Sequence, residues 1–113
     1  MHISPSDEHE WRIGVEKRLL GTMMIEPPVI ETAVNLLEER HFVFPAHRII
    51  FRTIMALRAC QRVVNPLTVR ERIRKSGELR LVGGPNGIDE LIQYSHGADT
   101  PFAYLAKRLI ERK

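Results

Sequence analysis

Histidine is the residue type of this chain that could best serve a metal site, and the sequence contains five histidines. No two of them have the i, i+4 spacing with which a helix presents paired ligands to zinc, and the single cysteine cannot complete a structural zinc site. We therefore predict no metal site. His41 and His47 lie on either side of a phenylalanine–proline turn, where we expect buried imidazoles that hydrogen-bond to the backbone. The five residues are His2, His9, His41, His47 and His96.

The other candidates for chemistry also favour structural roles. No residue near Cys60 in sequence would orient a histidine as its base, so we interpret it as a plain cysteine at a helix end. Gly83, Gly84 and Gly87 are not followed by the lysine of a phosphate-binding loop, and the diglycine instead predicts a loop with positive φ angles. The adjacent carboxylates at positions 38 and 39 fit a solvated helix end. We predict no catalytic residue and no cofactor.

The composition is that of a globular protein with room for one domain. The 113 residues are 43% hydrophobic and 27% charged, which is too apolar for a disordered chain. One cysteine cannot form an internal disulfide, which favours a reducing compartment. The apolar run 19–25 is far shorter than the ~20 residues that cross a bilayer, and the polar, acidic first ten residues do not resemble a signal peptide. We therefore expect a cytoplasmic protein without membrane contact.

Two stretches concentrate the positive charge of this chain, whose net charge is +3. They can be explained as a solvated helix face and a positively charged helix C-terminus, or as weak contacts to DNA. We favour the first interpretation, because no aromatic side chain is interleaved to stack on bases. The stretches comprise Arg70, Arg72, Arg74, Lys75 and Arg80, and then Lys107, Arg108, Arg112 and Lys113.

Hydrophobic spacing predicts an all-α fold of about six helices. Apolar residues recur every four positions from Trp11 to Met23, which indicates a first helix from about Asp7 to Ile25. Gly21, inside this helix, suggests that another backbone packs close to it. Prolines, glycines and caps predict the remaining limits. We expect Pro27 and Pro28 between the first two helices, a turn over 38–44, and Pro45 at the start of the third helix. Asn65 and Pro66 are the predicted cap and first residue of the fourth helix, Gly77 is its stop, and a loop follows over 77–87. The fifth helix contains Ile88, Leu91 and Ile92, a turn follows over 95–99, and Thr100 and Pro101 are the cap and first residue of the sixth.

The last two predicted helices are joined by a short polar turn and should form an antiparallel hairpin. Such a hairpin buries little by itself, so its apolar side must meet the first four helices or a second copy of the chain. We therefore expect a single domain over 1–113, with a globular helical bundle over 1–76, the loop over 77–87 and the hairpin over 88–113.

Four segments of the chain resemble, in order and in spacing, the N-terminal domain of DnaB-type replicative DNA helicases. The resemblance extends over about residues 12–113, and the order of the blocks makes it far more specific than any block alone. The segments are 16–24 (EKRLLGTMM), 42–51 (FVFPAHRIIF), 68–73 (TVRERI) and 77–84 (GELRLVGG).

The resemblance implies a helical bundle followed by a helical hairpin, and a function in assembly without catalysis. In this family the domain pairs through the hairpin, and three such dimers form a collar on the hexameric helicase ring. The collar helps to recruit a DnaG-type primase, and a helicase loader is a further possible partner. The ATPase motor belongs to a separate C-terminal domain.

We predict that the interface lies on the hairpin, where aromatic side chains would be the strongest anchors. Tyr94 and Phe102 flank the turn and are the best candidates. Packing between the two hairpin helices is the alternative role for each residue. Two other functions stay open, the helicase-binding domain of a DnaG-type primase and a small basic DNA-binding protein. The predicted interface residues are Leu91, Ile92, Tyr94, Phe102, Leu105 and Leu109.

Overall fold

The described part of the chain forms six α-helices, as the sequence predicts. The computed structural model describes residues 5–95 and 100–111, leaving out the side chains of residues 5–7 and 85. No strand occurs within these two ranges, and three short 3₁₀ turns separate some of the helices. The helices are α1 (Pro5–Ile25), α2 (Ile30–Leu36), α3 (Pro45–Ala59), α4 (Pro66–Ser76), α5 (Pro85–Ser95) and α6 (Phe102–Glu111).

Helix α4 has the ends that its sequence predicts. The side chain of Asn65 accepts a hydrogen bond from the backbone N–H of Thr68 at 2.9 Å, and the Thr68 hydroxyl oxygen accepts one from the Asn65 N–H at 3.0 Å. Pro66 occupies the first turn, where a missing N–H has no cost. Gly77 ends the helix in the left-handed conformation. The predicted cap, first residue and stop of this helix are confirmed.

Several predicted boundaries shift by a few residues. The two prolines after α1 form a 3₁₀ turn, Pro27–Val29, before α2 begins. The segment 77–87, predicted as a loop, contains the third 3₁₀ turn at Leu79–Val82, and its last residues already belong to α5. Helix α6 begins at Phe102, one residue after the predicted proline start. Shifts of this size are usual at helix ends, where hydrogen bonding changes gradually. Residues 96–99, most of the predicted turn before α6, lie outside the described part of the chain.

Positive φ angles occur at the predicted diglycine and at one unexpected residue. Gly83 and Gly84 have φ values of 94° and 72°, which confirms the prediction for this loop. Gln61 has a φ of 57°, and it lies just after the C-terminus of α3. A side chain in this region costs about 1 kcal/mol, because Cβ crowds the following carbonyl oxygen. Contacts around the turn from α3 to α4 must therefore offset the cost of this conformation at Gln61.

Helix α1 lies at the centre of the packing. It makes its most extensive helix–helix contact with α5, and it also packs against α6 and α3. Within the described residues, α6 contacts α1 and α2 more than it contacts α5. One cluster of buried apolar residues draws on all six helices. The C-terminal helices thus complete the core of the bundle, which is one of the two partners that the sequence offered for their apolar sides.

Candidate functional site

A buried carboxylate–imidazole pair joins two of the sequence blocks that define the resemblance. Oε1 of Glu16, in α1, lies 2.8 Å from Nδ1 of His47, in the first turn of α3. The other oxygen of Glu16 accepts a hydrogen bond from the backbone N–H of Val43 at 2.9 Å. Glu16 is completely buried and His47 is 5% exposed. A buried carboxylate is stable only when its oxygens are hydrogen-bonded, and here both are.

This pair corrects the sequence-based prediction for one of the two histidines. We expected His41 and His47 to be satisfied by backbone groups. His41 is only half-buried, but its Nδ1 does accept a hydrogen bond from the backbone N–H of Glu38 at 2.9 Å. His47 instead binds the Glu16 carboxylate, which lies 31 residues earlier in the chain. The prediction failed for His47 because a long-range partner leaves no local signal.

The segment before α3 is held to the same place by further contacts. The guanidinium Nε of Arg48 donates a hydrogen bond to the carbonyl oxygen of Phe42 at 2.5 Å. The rings of Phe42 and Phe51 lie 4.9 Å apart, and the ring of Phe44 packs edge-on against His47 at 5.4 Å. The phenylalanine–proline–histidine segment therefore fixes the start of α3 against α1.

A second close contact joins α1 to α5. A Cβ atom built on Gly21 would overlap the hydroxyl oxygen of Ser95 and the carbonyl oxygen of Leu91. The Ser95 hydroxyl is buried and donates to the carbonyl oxygens of Leu91 and Arg18, at 3.2 and 3.3 Å. The sequence-based prediction that another backbone approaches Gly21 is confirmed, and that backbone belongs to α5.

The six predicted interface residues divide into two groups. Leu91, Leu105 and Leu109 are buried in the core of the single chain, so in this conformation they have little surface to offer a partner. Ile92 and Phe102 are half-buried and pack against the edge of the core, and Tyr94 is 43% exposed. The three predicted interface residues that remain accessible therefore lie at the end of α5 and the start of α6.

Tyr104 is an exposed aromatic residue that the sequence-based prediction omitted. It lies in α6 and is 56% exposed. The signal was present, because Tyr104 falls outside the apolar stripe of Phe102, Leu105 and Leu109 and an aromatic ring off the stripe of a helix faces solvent. Tyr94, Phe102 and Tyr104 all lie close in sequence to the α5–α6 connection. We call these three residues, with Ile92, the aromatic edge.

One face of the aromatic edge is anchored to α1 by charge. The ammonium Nζ of Lys17 lies 4.7 Å from the centre of the Tyr94 ring, within range of a cation–π interaction. The same ammonium group is 2.5 Å from Oε1 of Glu90, one turn earlier in α5. Lys17 therefore fixes the orientation of Tyr94 while leaving part of the ring accessible.

The basic stretch of α4 is only partly neutralised. Nη2 of Arg74 lies 2.8 Å from Oε2 of Glu71. The hydrogen bond and the charge of Arg74 lower the pKa of Glu71 from its ordinary value, and the nearby cations Lys75 and Arg70 lower it further. Within the described residues, Arg72 and Lys75 have no ion-pair partner. Positive potential therefore persists along this helix.

The remaining candidates occupy unremarkable positions. Cys60 is exposed at the end of α3. Among residues 5–95 and 100–111, no three histidine, cysteine or acidic side chains converge as metal ligands would. His2, His96, Arg112 and Lys113 lie outside these ranges. None of the described helices combines the length and the apolar character that crossing a membrane would need.

Comparison with known proteins agrees with the family that the four sequence blocks resemble. The family model described as "DnaB-like helicase N terminal domain" matches residues 8–110. The chain is 38% identical over 79 residues to the replicative DNA helicase DnaB of Rhodothermus marinus, a match that covers 70% of this chain and 8% of that protein. Its fold is similar to the crystal structure of the N-terminal domain of DnaB helicase from Mycobacterium tuberculosis, with a TM-score of 0.81 and 25% identity over 88% of this chain and 71% of that one. The chain belongs to the DnaB-like helicase N-terminal domain family.

Proposed function

We propose that this domain is a non-catalytic assembly and docking module of a replicative DNA helicase. It pairs with a second copy of itself through α5 and α6, three such pairs contribute a collar to a hexameric ring, and the collar docks a DnaG-type primase. A helicase loader is a further candidate partner. Membership of the family supports the link to a helicase, and the aromatic edge is the observation that supports the docking role.

The aromatic edge has the physical properties of a contact surface. Tyrosine and phenylalanine rings bring a large apolar area with little side-chain entropy to lose, and such residues dominate the binding energy of many interfaces. Tyr94 and Tyr104 are 43% and 56% exposed, although neighbouring leucines of the same two helices are buried. The buried leucines hold α5 and α6 against α1, so the exposed rings stand on a rigid support.

We expect a single contact of this kind to be weak. Its repetition around a ring would make the assembly stable. Two exposed tyrosine rings and two half-buried side chains offer limited apolar surface, so we expect a contact weaker than that of a permanent dimer. In a closed ring the same contact occurs several times, and each closure raises the effective concentration for the next. A weak pair contact also leaves the ring able to change its geometry when a primase binds.

Sedimentation velocity over a wide range of protein concentration tests the assembly part. We expect a reversible monomer–dimer mixture that shifts towards dimer as concentration rises. Tyr104→Asp should shift the mixture towards monomer without changing the circular dichroism spectrum. The control is Leu81→Asp, because Leu81 is 64% exposed and belongs to neither α5 nor α6. A strict monomer at high concentration would contradict pairing through these helices.

Calorimetric titration with the helicase-binding domain of a DnaG-type primase tests the docking part. We expect saturable binding that Tyr94→Asp weakens and Leu81→Asp does not. A parallel titration with a DnaB-type helicase is the negative control. If this chain were instead the helicase-binding domain of a primase, it would bind the helicase and not the primase. Binding to random duplex DNA that exceeds binding to primase would favour the DNA-binding alternative.

A further inference from the structure

Two adjoining clefts at the turn between α3 and α4 lie outside the aromatic edge and form two chemically different halves, a cationic one against α4 and an apolar one against the start of α2. The cationic half has a volume of about 580 Å³ and is lined by Arg62, Arg72 and Lys75 among others. The apolar half has a volume of about 450 Å³. Both halves share the turn at Gln61, Arg62 and Val63, so they adjoin there, and we call the two together the α3–α4 groove.

The cations of the groove stand on two opposing walls. Thr68, Arg72 and Lys75 lie at i, i+4 and i+7 along α4, a spacing that places them on one face of a helix. Arg62 faces them from the turn after α3. None of the three cations has an ion-pair partner among the described residues. Glu71, which also lines this half, pairs with Arg74 and also attracts Lys75, so it offsets only part of the positive charge.

The other half of the groove offers apolar surface, and of its charged residues only the shared Arg62 is unpaired within the described part of the chain. Pro27, Ile30, Val63 and Val64 line it. Arg58 and Glu31, also in its lining, neutralise each other, with Nε and Nη2 of Arg58 donating to the two carboxylate oxygens at 3.0 Å each. Val63 stands 69% exposed at the junction of the two halves. Val63 therefore adds accessible apolar area at the point where the two halves adjoin.

We infer that the α3–α4 groove binds an acidic, amphipathic segment of a partner protein. Carboxylates of the segment pair with Arg62, Arg72 and Lys75, and its apolar side chains pack on Val63 and the adjoining half. Arginine on opposing walls suits carboxylates because its guanidinium group forms paired, charge-assisted hydrogen bonds. No residue of α5 or α6 lines the groove, so it is a second docking surface that does not depend on the aromatic edge.

The lining favours a protein segment over a nucleic acid. Single-stranded nucleic acid is bound by positive charge together with aromatic rings on which the bases stack. No aromatic side chain lines either half of the groove. The apolar half offers aliphatic side chains and no aromatic ring for bases to stack on, whereas leucine-like side chains of an amphipathic segment can pack against it.

Fluorescence anisotropy with synthetic probes tests the inference on the full chain. The probes are a labelled peptide in which glutamate and leucine repeat with helical spacing, the same peptide with lysine in place of glutamate, and oligothymidylate. We expect the acidic peptide alone to bind, and to bind more weakly as salt is added. Equal binding of the acidic and the basic peptide, or tighter binding of oligothymidylate, would overturn the inference.

Two matched pairs of variants locate the binding. The charge reversal Arg72→Glu with Lys75→Glu should weaken binding of the acidic peptide about tenfold or more. Its control, Arg80→Glu with Lys107→Glu, makes the same change of net charge at exposed residues outside the groove lining and should leave binding within about twofold. Val63→Asp should weaken binding, and Leu81→Asp at similar exposure should not.

The outcomes also separate this inference from the proposed function. If the groove variants and their controls lost peptide binding equally, the peptide would be attracted by the overall charge of the domain. That result would refute the groove as the binding site. Self-association measured on the groove variants should stay at its original level, because the aromatic edge is intact. Loss of self-association in Arg72→Glu with Lys75→Glu would refute the independence of the two surfaces.

Discussion

Nδ1 of His47 lies 2.8 Å from Oε1 of Glu16, and both side chains are closed off inside the bundle. When Glu16 is a carboxylate, both of its oxygens accept, and the hydrogen that the imidazole donates is the one on Nδ1. The pair connects the middle of α1 to the first turn of α3, and the backbone N–H of Val43 completes it. It therefore ties the start of α3 to α1.

Replacing Glu16 should separate the loss of hydrogen bonds from the loss of charge. Glu16→Ala leaves the N–H groups of His47 and Val43 without acceptors and should lower the free energy of unfolding by about 3 kcal/mol. In Glu16→Gln the amide oxygen can accept from Val43 while the amide NH₂ donates to Nδ1 of His47, if the ring hydrogen moves to Nε2. We expect a smaller loss, about 1 kcal/mol.

Urea unfolding followed by circular dichroism measures both losses, and ¹⁵N chemical shifts of the imidazole report the tautomer. Glu31→Gln is the control, since Glu31 belongs to an exposed ion pair whose loss should matter much less. Equal destabilisation by Glu16→Gln and Glu16→Ala, with an unchanged tautomer, would contradict the exchange of donor and acceptor.

Two glycines of α1 should respond to alanine in opposite directions. Gly21→Ala places a methyl group against the backbone and Ser95 of α5 and should cost about 3 kcal/mol or more of stability. Gly14→Ala meets no atom within 4 Å and should stabilise the chain by about 0.5–1 kcal/mol, because alanine loses less backbone entropy in a helix. Thermal unfolding of the two variants in one buffer measures the difference. Similar midpoints for both would mean that α1 and α5 can move apart without cost.

Leu109 should behave as a core residue. It is 1% exposed, and Leu109→Ala should lower the free energy of unfolding by about 2–5 kcal/mol through lost burial and a new cavity. Tyr104→Ala in the same helix should change stability by no more than about 0.5 kcal/mol. Denaturant unfolding checks both. A Leu109→Ala variant of normal stability but weakened self-association would return this residue to the interface.

Glu71 reports the positive potential along α4. Its lowered pKa means that its interaction with Arg74 stabilises the folded chain above the ordinary pKa of a glutamate and is lost as pH falls through the lowered value. Arg74→Gln should raise the pKa of Glu71 towards its ordinary value, and Lys75→Gln should raise it less. Titration of the Glu71 carboxyl followed by nuclear magnetic resonance gives both shifts. A larger effect of Lys75→Gln would contradict the assignment of Arg74 as the main cause.

The sequence predicts local features well because their causes are local. Asn65 and Gly77 flank α4 as cap and stop, and the diglycine after the third 3₁₀ turn needs positive φ angles whatever the rest of the chain does. The close contact at Gly21 was predicted from one residue as well, but glycine alone does not decide it, because Gly14 in the same helix meets no atom within 4 Å.

Contacts between distant segments escape the same reasoning. The partner of His47 lies 31 residues away and that of Lys17 lies 73 residues away, so no spacing pattern announces either. The apolar stripes of α5 and α6 predict burial, but not whether the covering surface is α1 or another molecule. Most of that stripe is covered by α1, and the exposed aromatic edge lies beside it.

The position of α1 determines how this chain must reach its folded state. Helix α1 precedes its main partner, α5, by the whole of α2, α3 and α4. During synthesis the part of its apolar face that meets α5 and α6 stays uncovered until those two helices emerge. The domain is therefore open to misassociation during that interval, and its folding should end with the docking of α5 and α6 on α1.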